Sequence, residues 1–119
     1  MPTRDNSDER TNLLQGTLDL LILRTLVLGE QHGQGIARSI QRQSEDVFLV
    51  DHGSLYLALQ RLEEKGWIDA KWGVSDNNRR ARFYKLTSTG RRRLTDKTEE
   101  WGRIAAAMAR ILNPGGSEA

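Results

Sequence analysis

The chain has 119 residues, with 18 Lys and Arg, 16 Asp and Glu, two histidines and no cysteine. That length suits one domain. The missing cysteines exclude disulfides and thiolate chemistry, and His32 and His52 are too few for a His-rich metal site, so no metal and no cofactor is expected. The net charge of +2 conceals a basic window: Arg79, Arg80, Arg82, Lys85, Arg91, Arg92 and Arg93 fall within fifteen residues that hold no acid, giving +7 there and −5 elsewhere. Such a window suits a polyanion met at one place, or simply a solvated face; charge alone leaves both open. No stretch approaches the roughly 20 apolar residues of a membrane span, and residues 1–12 carry Arg4, Asp5, Asp8, Glu9 and Arg10 instead of a signal peptide's apolar run. No membrane partner is expected, and the expected location is cytoplasmic.

In chain order, residues 1–12 read as a disordered arm. Leu14, Leu18, Leu21, Ile22 and Leu26 then recur at helical spacing, and Gly29 ends that helix. Gln31 to Gly35 reads as a turn relaxed by Gly33 and Gly35. A shorter helix follows with Ile36, Ala37 and Ile40 on one face, and the β-branched run Val47 to Val50 could form a short strand. A third helix starts at Asp51, Gly53 and Ser54, repeats Leu55, Leu59 and Leu62, and closes at Gly66. Trp67 to Trp72 and Arg79 to Leu86 flank a Gly/Ser/Asp/Asn cluster, the pattern of a β-hairpin. Thr87 caps a long helix that Asn113, Pro114 and Gly115 stop, leaving 114–119 as a flexible tail.

Three short helices, a hairpin and a long last helix make a mainly α fold with a small β-hairpin wing: a winged helix-turn-helix over residues 13–87 and a C-terminal dimerisation helix over 88–113. In such a module the third helix enters the major groove of double-stranded DNA and the wing lies on its backbone. The basic window falls on the wing and the start of the last helix, where that layout needs it. Away from the leucines, the third helix offers Ser54, Leu57, Gln60, Arg61 and Glu64, with Tyr56 on its flank. Arg61 suits guanine, Gln60 adenine, Leu57 a thymine methyl, and Ser54 a phosphate at the helix N-terminus. Arg79, Arg80, Arg82 and Lys85 are the wing's candidate DNA contacts; Phe83 and Tyr84 alternate, so one of them faces the core. On the last helix Leu94, Trp101 and Met108 are seven apart, and with Ile104, Ile111 and Leu112 they form the candidate homodimer face.

Catalysis is not expected. Asp51, His52 and Ser54 are too crowded for a hydrolase triad, and Gly33-Gln34-Gly35 lacks the third glycine and the preceding strand of a dinucleotide loop.

The chain resembles the PadR family of bacterial transcriptional regulators over residues 13–112. The resemblance rests on Leu14-Gln15-Gly16-Thr17-Leu18-Asp19, His32-Gly33-Gln34-Gly35-Ile36-Ala37, Gly53-Ser54-Leu55-Tyr56-Leu57-Ala58-Leu59, Arg61 to Ile68, and Arg79-Arg80-Ala81-Arg82-Phe83-Tyr84-Lys85-Leu86-Thr87. Gln34 stands where that family often has an aromatic residue, and Leu57 where it often has proline. The resemblance implies a homodimeric regulator that binds a pseudo-palindromic operator, acts as a repressor and is released by a small inducer. It also implies a site for a planar aromatic or phenolic effector between the last helices, with Trp101, Ile104, Ala105 and Met108 around it; otherwise Trp101 is a packing residue. The competing reading is a winged-helix module that docks a protein without touching DNA, which the +7 window disfavours.

Overall fold

The computed structural model describes residues 16–113 and 115. Helices occupy residues 16–26 (α1), Gly33–Gln43 (α2), His52–Glu64 (α3) and Ser88–Leu112 (α4); strands occupy Gln31–His32 (β1), Ile68–Val74 (β2) and Arg80–Leu86 (β3). The expected arm over 1–12, Leu14, and all of the expected tail but Gly115 lie outside the described residues. The strands form one antiparallel sheet in the order β1-β3-β2, with Ile68 opposite Leu86 and Val74 opposite Arg80. This is the expected winged helix-turn-helix with a long terminal helix.

One core joins every helix to the sheet. Ile22, Leu23 and Leu26 of α1, Ile36 and Ile40 of α2, and Leu55, Ala58, Leu59 and Leu62 of α3 meet Ile68, Tyr84, Leu86 and Leu94. The α1 stripe is centred one position away from the expected one: Leu23 is fully buried, whereas Leu18 and Leu21 pack only at its edge.

Two expectations about the chain between helices change. Gln31 and His32 are a strand rather than a turn, pairing with Tyr84 and Phe83 of β3. Gly33 and Gly35 already belong to α2, and they matter for closeness rather than for a turn. A Cβ on Gly33 would meet the Tyr56 ring, and one on Gly35 would meet the Gln31 side chain. The run 47–50 is not a strand. α2 carries the chain about 16 Å from β1, and the run pairs with no strand. Val47 and Leu49 are exposed there, and only Val50 packs against the core.

The helix ends follow their local chemistry. Asp51 caps α3 by accepting from the Ser54 N–H at 2.9 Å. Its far end is a Schellman turn: Gly66 takes φ 78°, and the Trp67 and Gly66 N–H groups donate to Leu62 and Glu63 carbonyls. Thr87 accepts from the Gly90 N–H at 3.0 Å and donates to the Gly66 carbonyl at 2.7 Å. The start of α4 is thereby fixed to the end of α3. Only Gly90 and Leu94 of α4 are buried, so the helix's share of the core ends with its second turn.

Candidate nucleic-acid interface

The exposed side of α3 follows from the four residues it buries. Leu55, Ala58, Leu59 and Leu62 face the core, so Ser54, Tyr56, Leu57 and Gln60 face outward. Tyr56 is neither core nor free: its ring lies over Gly33, where an added Cβ would push against the end of the tyrosine ring. The Ser54 N–H is taken by Asp51, so the anion seated at this helix N-terminus is the chain's own carboxylate. That bond, made largely by the Ser54 amide, holds the Asp51 carboxyl below its ordinary pKa.

Arg61 departs from the expected face. Ala58 widens the buried side toward its flank, and its Nη2 turns back to Asp19 Oδ1 of α1 at 2.9 Å. Burial raises the Asp19 pKa, with Arg61 opposing. One guanidinium nitrogen is thereby engaged within the chain.

The wing sorts its side chains by strand alternation. Ala70, Trp72 and Val74 share one face with Tyr84, Arg82 and Arg80; Lys71 and Asp69 share the other with Phe83 and Lys85. Tyr84 is therefore the core member of the expected alternating pair, and burial raises its pKa. Phe83 packs edge-on against His32, with centroids 5.4 Å apart. Lys85 stands across from Asp69, on the face away from Arg80 and Arg82. Trp72 is 58% exposed, with the Arg80 guanidinium 4.6 Å and the Arg82 guanidinium 6.0 Å from its ring centre. Arg82 also bonds Glu63 of α3 at 2.9 Å.

These elements enclose a groove of about 800 Å³. Its floor is His32, Gly33 and Gln34; one wall is Tyr56, Gln60 and Glu63, and the other is Trp72, Arg79, Arg80 and Arg82. His32, Gln34, Glu63 and Trp72 join the site without being among the contacts expected from periodicity and charge. For Trp72 a signal existed, since pairing the hairpin strands puts it opposite Arg82. For Glu63 there was none, because its partner lies 19 residues away.

The α4 residues divide. Trp101, Ile104, Met108, Ile111 and Leu112 are exposed, between 42% and 73%, and share one stripe. Leu94, expected at the dimer face, instead belongs to the domain core, because the first turns of α4 pack on the sheet. A shallow pocket of about 160 Å³ lies between Trp101 and Ile104 and residues Gly16, Thr17 and Leu20 of α1, with Lys97 and Glu100 at its rim. Ala105 and Met108 lie outside its lining.

Among the described residues no helix is long and apolar enough to cross a membrane, and no cluster of three potential metal ligands occurs.

The profile described as the Transcriptional regulator PadR-like family matches residues 22–96. An uncharacterised protein of Lysinibacillus sphaericus is 33% identical over 96 residues, spanning 80% of this chain and 87% of that protein. A transcriptional regulator from Clostridium thermocellum superposes with a TM-score of 0.77 at 25% identity, over 86% of this chain and 96% of that one. A PadR family transcription regulator from hypervirulent Clostridium difficile gives 0.68 at 32% identity, over 81% and 98%.

Proposed function

The chain belongs to the PadR-like family of transcriptional regulators, and from that premise we propose that it is a homodimeric, sequence-specific repressor of transcription. The observation that carries this reading is the groove between α3 and the wing, where Arg79 and Arg80 stand beside exposed Trp72, Tyr56 and Gln60. Phosphates are met by Arg79 and Arg80 and, at the mouth of α3, by the Ser54 hydroxyl. Gln60 and Leu57 read base edges, an amide for adenine and an apolar contact for a thymine methyl. Arg61 holds α3 to α1 instead of reading a base. The exposed α4 stripe joins two copies, so the operator is pseudo-palindromic with half-sites about one helical turn apart. A planar aromatic or phenolic inducer seated beside Trp101 lowers operator affinity by changing how the two α4 helices pack.

The test is binding to fragments selected from random DNA, measured against salt. With two or three phosphate contacts per protomer, log K falls against log salt with a slope of roughly −4 to −6. A slope near zero overturns the nucleic-acid reading.

A further inference from the structure

The wing cations are not equivalent. Arg79 and Arg80 form no ion pair among the described residues, whereas Arg82 is bonded to Glu63 at 2.9 Å. That contact is also the one hydrogen bond between α3 and the wing among the described residues. It occurs where the hairpin passes beyond its buried base: Tyr84, paired with Ala70, is 5% exposed, and Trp72, paired with Arg82 in the next pair outward on the same face, is 58% exposed. The outer hairpin therefore has little packing of its own to set its angle over α3.

We propose that Arg82 is a positioning residue, a strut that with Glu63 fixes the wing over the DNA-reading face of α3, and that it is not a phosphate ligand. The inference rests on the reading of the groove as a DNA site. Charge balance keeps Arg82 on Glu63. To reach a phosphate, Arg82 would release Glu63, leaving a bare carboxylate in the groove against a polyanion. The pair left intact is neutral at the distances over which salt screens, about 8 Å, so it releases no counterions on binding. Trp72 completes the device as the cross-strand partner of Arg82. Its ring lies beside both guanidinium groups, 4.6 Å from that of Arg80 and 6.0 Å from that of Arg82, and of the two only Arg82 also reaches Glu63.

The experiment compares Glu63→Gln, Arg82→Gln, the double variant and Arg80→Gln, all with melting curves to confirm folding. In the DNA-free protein, amide hydrogen exchange at 72–74 and 80–82 accelerates in both strut variants and stays as in wild type in Arg80→Gln. On DNA, Arg80→Gln makes the salt slope shallower by about 0.9 for each contact removed. Arg82→Gln leaves the slope unchanged but lowers the ratio of selected to scrambled DNA affinity roughly tenfold, about 1.4 kcal/mol. Glu63→Gln lowers that ratio equally, and the double variant lowers it no further. Unchanged wing exchange in both strut variants overturns the proposal whether or not the protein binds DNA. So does an Arg82→Gln slope as shallow as that of Arg80→Gln, or a Glu63→Gln protein that binds all DNA more tightly with its selectivity intact. A wild-type slope near zero with accelerated exchange rejects the DNA role and keeps the strut as a structural contact only.

Discussion

Arg61 of α3 and Asp19 of α1 form an ion pair at 2.9 Å in which the aspartate side chain is 9% and the arginine side chain 32% exposed. The pair fastens the helix that faces the groove to the helix that faces α4. Burial opposes ionisation of Asp19 more strongly than Arg61 favours it, so the carboxyl is held above its ordinary value of 3.8.

The first prediction concerns that pair. Asp19→Ala strands the Arg61 charge and destabilises the fold by about 1–3 kcal/mol, below the cost of a fully buried pair because Arg61 keeps contact with water. The pH dependence has a definite sign. The folded state binds the Asp19 proton more tightly than the unfolded chain does, so this contribution to stability is full below pH 3.8 and is lost as pH rises through the raised value. Asp19→Asn removes that component. Urea melts of both proteins across the acid range check it; parallel curves refute the assignment.

Asp51 titrates in the opposite sense. Its carboxyl is lowered by the Ser54 amide, so its contribution is present above 3.8 and is lost as pH falls through the lowered value. Asparagine caps a helix as well as aspartate does but carries no charge. Asp51→Asn is therefore expected to keep the helix and flatten the acid limb of the stability curve. A variant with an acid limb as steep as wild type would assign that limb to other carboxylates.

The contrast between α3 and Arg61 shows what a sequence makes legible. Asp51, the spacing of Leu55, Leu59 and Leu62, and Gly66 are all local signals, and each lies in the structure where its chemistry requires. Arg61 finds its partner 42 residues away, so periodicity alone could say which flank it leaves from but not where its guanidinium ends. The two residues of β1 carry no period at all, and their pairing depends on β3, some fifty residues on. Val47 to Val50 shows the converse: β-branched composition favours a strand only when an edge is within reach. Leu94 fits both the heptad and the core, and only the packing of α4 on the sheet decides between them.

Two glycines of α4 should respond oppositely to alanine. A Cβ on Gly90 would strike the Trp67 carbonyl, a backbone atom that cannot turn aside. Gly90→Ala is expected to cost about 1–3 kcal/mol or more. Gly102 has open space around it, so Gly102→Ala gains about 0.5–1 kcal/mol from helix propensity. Melting temperatures moving in opposite directions bear this out; two equal shifts would contradict it.

Assembly is expected to depend on the outer half of α4 alone. Ile104 and Met108 are 42% and 50% exposed on the shared stripe, so replacing both by Glu yields a monomer in sedimentation equilibrium. Leu94→Ala, by contrast, lowers the melting point by opening a core cavity, at about 2–3 kcal/mol, without changing subunit affinity. A doubly charged variant that stays dimeric would move the interface away from this stripe.

The final prediction couples effector to DNA. The groove faces outward from α3, while Trp101 and Ile104 sit over Leu20 of α1, and Asp19 of that same helix holds Arg61 of α3. A planar ligand wedged beside Trp101 that shifts the packing of α4 thus also bears on α1, the helix to which α3, the proposed DNA-facing helix, is fastened. Coupling of this kind is reciprocal: a ligand that weakens operator binding binds the operator-bound dimer more weakly by the same factor. A coupling of about 1–3 kcal/mol corresponds to a 5- to 150-fold loss of operator affinity. Planar aromatic cations and phenolic acids are titrated while tryptophan emission is followed, in wild type and in Trp101→Ala. Trp67 and Trp72 contribute to both signals, so the difference between the two proteins isolates Trp101. Asp19→Asn in the same titration should keep ligand affinity and reduce its effect on operator binding. Quenching that persists unchanged without Trp101, or a ligand that leaves operator affinity untouched, would make Trp101 a packing residue and nothing more.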